Sequence, residues 1–83
     1  MEELIILGVL VQERENHALK LQNIFTKYGC TIKTRLGLNE VDLSAYKNAG
    51  LIILELTGDP EECIRLENEL LSLDGVEVKK MIF

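Results

Sequence analysis

The sequence is short of the residues on which metal and redox chemistry depends: two cysteines and a single histidine in 83 residues. Cys30 and Cys63 lie far apart, with no CxxC and no histidine at ligand spacing. One chain therefore supplies neither the three or four convergent donors a metal needs nor a disulfide framework. Basic charge is scarce too. Nine Lys and Arg face fourteen Asp and Glu, a net charge of −5. That balance argues against direct binding to nucleic acid or anionic membranes, which requires clustered positive charge to displace counterions. The nearest approach to a basic cluster, Lys79-Lys80 with Lys33 and Arg35, reads as solvated edge positions. No apolar run reaches the about 20 residues of a membrane-spanning helix. Met1-Glu2-Glu3 is acidic ahead of the first apolar run, the reverse of a secretory leader. The glycines form neither a GxGxxG nor a P-loop pattern; Gly29, Gly58 and Gly75 read as punctuation at element ends. The expectation is a cytoplasmic, reduced protein with no metal and no cofactor, built as one domain over residues 1–83.

What the chain has in quantity is apolar side chains, 47% of residues. Leu4 to Val11 carries no charged or polar side chain and is rich in β-branched residues. Leu51 to Leu56 is almost its equal. Continuous runs of this length read as strands covered on both faces. Between them, Gln12 to Asn16 turns the chain into a helix from about Arg14 to Tyr28, with Ala18, Leu21, Ile24, Phe25 and Tyr28 as its apolar stripe. Gly29 stands where a left-handed C-cap is usual. Thr31 to Leu38 alternates, which puts Ile32, Thr34, Leu36 and Leu38 on one face and Thr31, Lys33 and Arg35 on the other. Asn39 to Gly50 lacks a clean period and reads as a long connection, with a short helical turn available through Leu43, Ala45, Tyr46 and Ala49. Asp59-Pro60 then opens a second helix, with Asp59 as cap, Pro60 at the first position and Glu62 placed for a capping box. Cys63, Leu66, Leu70 and Leu73 form its stripe, Asp74-Gly75 ends it, and Val76 to Phe83 is a final alternating strand.

The order βαββαβ predicts an α+β, ferredoxin-like fold of the ACT-like kind, an antiparallel four-stranded sheet with two helices on one face. In this topology strands one and three are central and strands two and four are edges, which matches the two runs that do not alternate and the two that do. Two helices cover only one face. One of the sets Ile5, Leu7, Val9, Val11 and Leu4, Ile6, Leu10 must therefore lie on the other, and Leu51 and Ile53 oppose Ile52, Leu54 and Leu56 in the same way. Burying roughly 300–400 Å² of that open face would yield about 8–10 kcal/mol before association costs. The chain is therefore expected to be its own partner, as a homodimer or higher oligomer joined by sheet face or sheet edge.

No arrangement of side chains reads as a nucleophile and its base. His17 reads as a half-buried helical histidine, Cys63 as a core thiol despite its place in the first turn of a helix, and Cys30 as a packing residue. The carboxylates Glu61, Glu62, Glu67 and Glu69 read as a solvated helix face. Gly8 to Arg14 loosely resembles the phosphate loop of the acylphosphatases, which share this topology, but without their glycine-rich cradle and with Glu13 and Glu15 beside Arg14.

A closer relationship is carried by Val9-x-Val11-x-x-Arg14-Glu15, then Leu21-x-Asn23, Tyr28-Gly29 and Ile32-x-x-Arg35-Leu36-Gly37, and by the ending Leu70-x-x-Leu73-x-Gly75-Val76-x-Val78-Lys79. This pattern resembles the iron-only hydrogenase system regulators, small ACT-like proteins related in shape to the regulatory domain of the nickel-responsive repressor. The resemblance spans nearly the whole chain. It implies a non-catalytic transcriptional regulatory module that acts as an oligomer without a DNA-binding arm of its own. The histidines that hold nickel in the repressor are not matched, so metal sensing is not carried over. ACT-like domains hold a small amino-acid-like ligand between subunits near the loop after the first strand, here Gln12 to Asn16. In that setting Arg14 and Arg35 would donate to a carboxylate, with Asn23 and Asn39 as polar neighbours. The alternative function is a structural domain that docks another protein by its open face or edge.

Overall fold

The computed structural model describes residues 3–38 and 49–83. Strands β1 (Ile5–Val11), β2 (Ile32–Leu38), β3 (Gly50–Leu56) and β4 (Val76–Ile82) alternate with helices α1 (Arg14–Lys27) and α2 (Pro60–Leu71) in the order β1-α1-β2-β3-α2-β4. The strands form one antiparallel sheet ordered β2-β3-β1-β4. The two apolar runs are thus the central strands, as the sequence predicts. Leu4 extends the ladder by one pair, its N–H and C=O bonding the carbonyl and N–H of Phe83 at 3.2 and 2.9 Å.

Both helices lie on one face and enclose a core of Leu7, Val9 and Val11 from β1, Leu54 and Leu56 from β3, Leu21, Ile24 and Phe25 from α1 with Tyr28 just beyond it, and Cys63, Leu66 and Leu70 from α2. Helix α2 starts as its sequence dictates: the Asp59 carboxylate accepts from the Glu61 N–H at 2.9 Å, with Pro60 in the first turn. A cap of this kind is worth about 1 kcal/mol. Glu62 closes no capping box; its carboxylate pairs with Arg65 one turn on. Gly75 turns the chain from α2 into β4 at φ +77°, a conformation that disfavours any residue with a Cβ.

Besides Glu62, the structure differs from the sequence expectation at four places. Ala18 is exposed rather than part of the buried stripe, because it lies at the margin of α1 where the helix overhangs the sheet. Gly29 is not left-handed. Helix α1 is closed instead by Tyr28 at φ −105°, whose carbonyl accepts from the N–H groups of Thr31 and Ile32 at 2.9 and 3.1 Å. Cys30 is exposed rather than packed. The fourth concerns β2. Ile32 pairs with Leu56, but Thr34 pairs with Glu55 and Arg35 with Leu54, so the strand bulges between Ile32 and Thr34. The extra residue shifts the alternation by one. Ile32, Arg35 and Gly37 face the helices, opposite Leu56, Leu54 and Ile52, while Thr34 and Leu36 face away. Glu55 holds the bulge, accepting from Thr34 Oγ1 at 2.8 Å and lying 3.8 Å from Lys33 Nζ. The expected helical turn through Leu43, Ala45 and Tyr46 lies outside the described residues.

Candidate functional site

The bulge in β2 decides where the site forms. By turning Arg35 onto the helix side, it sends the guanidinium under α1 rather than to the open face. Arg35 stacks over the Phe25 ring, 4.7 Å from its centroid. Phe25 is itself buried in the core, so the ring is a fixed platform. The ring holds the guanidinium in place, and among the described residues no hydrogen bond or ion pair engages its N–H groups, which suit a planar anion. A cleft of about 370 Å³ opens here. Arg14, Glu15, Ala18 and Gln22 line its α1 flank, Leu21 and Phe25 its floor, and Arg35 and Ile52 its sheet side. Its volume falls in the lower part of the about 300–1,000 Å³ range of small-molecule sites.

The structure therefore brings together two of the four residues proposed from sequence. Arg14 and Arg35 line one cleft. Asn23 does not reach it: the residue is exposed on α1, one position past Gln22 and so about 100° around the helix. Asn39 lies outside the described residues. Ala18, Leu21, Phe25 and Ile52 were legible only as apolar positions; Glu15 was legible as part of the Arg14-Glu15 motif but not as a lining residue, and Gln22 gave no signal apart from its helical spacing from Ala18. The cleft offers two cations, a carboxylate and a carboxamide above an apolar floor. It can hold a small acid, and Glu15 gives an ammonium group a counter-charge.

The remaining residues with chemical potential are placed elsewhere. Gly8 to Val11 is strand, and the β1–α1 connection is only Gln12 and Glu13, the latter at φ 49° with its carboxylate accepting from Asn16 Nδ2 at 3.0 Å. A two-residue link leaves no loop to wrap a phosphate, and Gly8 faces away from the side on which Arg14 lines the cleft. Cys63 is buried, its Sγ 3.8 Å from the Thr57 carbonyl, and burial first, then the Asp59 charge, pushes the thiol above its usual pKa. The helix dipole does not activate it. His17 is half-buried against Gly75, with Nδ1 enclosed and without a hydrogen-bond partner among the described residues. Across the helices, the Glu69 carboxylate accepts from Lys27 Nζ at 3.1 Å and is held below its ordinary pKa by the Tyr28 hydroxyl and then by Lys27. This joins the end of α1 to α2.

No protein-family model and no curated protein sequence matches the chain. Solved structures do. The uncharacterized protein TM1266 from Thermotoga maritima superposes with a TM-score of 0.80 at 24% identity, over 99% of each chain. CPII, a nitrogen regulatory PII-like protein from Thiomonas intermedia bound to ADP, AMP and bicarbonate, gives 0.62 at 13% identity, over 99% of this chain and 93% of that one. A formyltetrahydrofolate deformylase from Pseudomonas putida gives 0.58 at 8% identity; 94% of this chain corresponds to only 28% of the enzyme. At these identities the likeness establishes the ferredoxin-like fold.

Proposed function

We propose that the chain is a non-catalytic regulatory module that binds a small amino-acid-like ligand in the cleft between α1 and β2–β3 and works as an assembly of like copies. The observation that carries this reading is the convergence of Arg35, stacked on Phe25, with Arg14 over an apolar floor. The ligand carboxylate meets the two guanidinium groups, the ammonium meets Glu15, and a modest apolar side chain lies on Leu21 and Ile52. Charge-assisted, bidentate pairing to arginine supplies both strength and orientation. A fold shared with a PII-like protein that holds ADP, AMP and bicarbonate supports the use of this scaffold for small anions. The resemblance in sequence supplies the setting, control of the iron-only hydrogenase system in the cytoplasm. Regulation follows as a population shift, the bound ligand favouring one packing of the copies over another.

A melting-temperature screen with amino acids, short carboxylic acids, bicarbonate and nucleotides tests the reading. One class should raise the melting temperature saturably. At a hundredfold excess over Kd the gain is about 2.7 kcal/mol, and Arg35→Gln should abolish it. Silence across the panel, or a rise that survives Arg35→Gln, would remove the site.

A further inference from the structure

We infer that the helix-free face of the sheet is the surface on which a second copy of this chain docks, face to face, and that neither sheet edge serves. The inference rests on the assembly named in the proposed function and specifies its surface. Four observations converge on it. First, the face is apolar at its centre. Ile6 and Leu10 of β1, Leu51 and Ile53 of β3, Leu36 of β2 and Met81 of β4 share it, with Leu36 and Met81 54% and 55% exposed. Second, its charge is balanced although the chain's is not. Among the described residues the charged side chains on this face are Lys33, Glu55, Glu77 and Lys79, which sum to zero, against −5 for the whole sequence. The repulsion that would oppose self-association is thus carried by other surfaces.

Third, the charge nearest the apolar centre is prepared for covering. Glu55 already accepts a hydrogen bond from Thr34 at 2.8 Å and has Lys33 at 3.8 Å, so taking it out of water leaves no bare carboxylate. Fourth, both edges are blunted: β4 carries Lys79 and Lys80, and β2 bulges between Ile32 and Thr34. These are the devices by which sheets discourage edge pairing. Four strands of seven residues present roughly 20 by 24 Å. Gly8 sits mid-face, and a Cβ there would meet nothing nearer than 3.9 Å. Its bare backbone is therefore not demanded by packing within one copy and leaves room there for an opposing sheet.

Sedimentation equilibrium of the full chain, from low to high micromolar, tests this. The wild type should be a dimer or larger. Met81→Glu, at a position already open to water, and Ile53→Glu should each weaken association at least tenfold while retaining the far-ultraviolet circular dichroism of the fold. Ile64→Glu, at an exposed apolar position on the outer side of α2, should leave association unchanged. A wild type monomeric at high micromolar concentration would overturn both the surface and the assembly, leaving the face to some other partner. Association that persists undiminished in folded Met81→Glu and Ile53→Glu would overturn the surface alone and return the interface to an edge.

Discussion

The two faces of the sheet are made of the same residue types on the same strands, yet they have different surroundings. On the helix side Leu7, Val9 and Leu54 are fully enclosed. On the other side Ile6, Leu10, Leu51 and Ile53, their neighbours in sequence, are only half-buried, shielded by one another and by the flanking strands. A central strand without polar residues asks for two covers, and the helices provide one. The difference locates the two activities proposed for the chain. The covered face, at its β2 margin, has room for a small ligand; the uncovered face has the apolar centre and balanced charge proposed to meet its own copy.

The largest expected effect lies on the enclosed face. Leu54→Ala removes the isopropyl group of a fully enclosed side chain from the dry face and should cost about 2–5 kcal/mol, a fall in melting temperature of about 10 °C or more. Ile53→Ala, one residue away on the open face, should cost under about 1 kcal/mol at dilutions where copies separate. Equal losses for the pair under those conditions would mean that the faces do not differ as described. The smallest effect concerns the link between the helices. Glu69 has its pKa lowered in the folded chain. Its contribution to stability is therefore present above the unfolded carboxylate value of about 4.3 and lost as pH falls through the lower folded value. Lys27, raised chiefly by its hydrogen bond to Glu69, behaves oppositely: its contribution is complete below its unfolded value and lost as pH rises through the folded one. Melting curves of wild type and Glu69→Gln should thus diverge at neutral pH and converge in acid. Parallel curves down to low pH would remove the link.

Much of this architecture is legible in the residues themselves. The unbroken runs at β1 and β3, the Asp59-Pro60 start of α2 and the alternation of β4 each have one cheap structural solution, and the solutions agree. What is not legible is a change of parity. Residues 31–38 alternate without interruption, so nothing in their order marks a bulge at Lys33-Thr34. The signal lies across the sheet, in Glu55, which attracts both residues. That single slip moves Arg35 from the open face to the cleft. Arg14 and Arg35 were recognisable as cations able to donate hydrogen bonds, and both line the cleft. Leu21 and Phe25 were not recognisable as the cleft's floor, nor Ile52 as its sheet side, because an apolar residue between helix and sheet reads as core until the margin of the helix is seen. Gly29 and Cys30 illustrate the same limit: a helix end can be closed by a carbonyl such as that of Tyr28 as well as by a left-handed glycine.

The most direct measurement compares the two faces in one spectrum. Methyl resonances of Leu7, Leu54, Ile6 and Ile53, recorded with a soluble paramagnetic agent at high and low protein concentration, report which are reached by solvent. At high concentration all four should be protected alike, and on dilution Ile6 and Ile53 should broaden while Leu7 and Leu54 stay sharp. Broadening of Ile6 and Ile53 that is complete at every concentration would contradict the account.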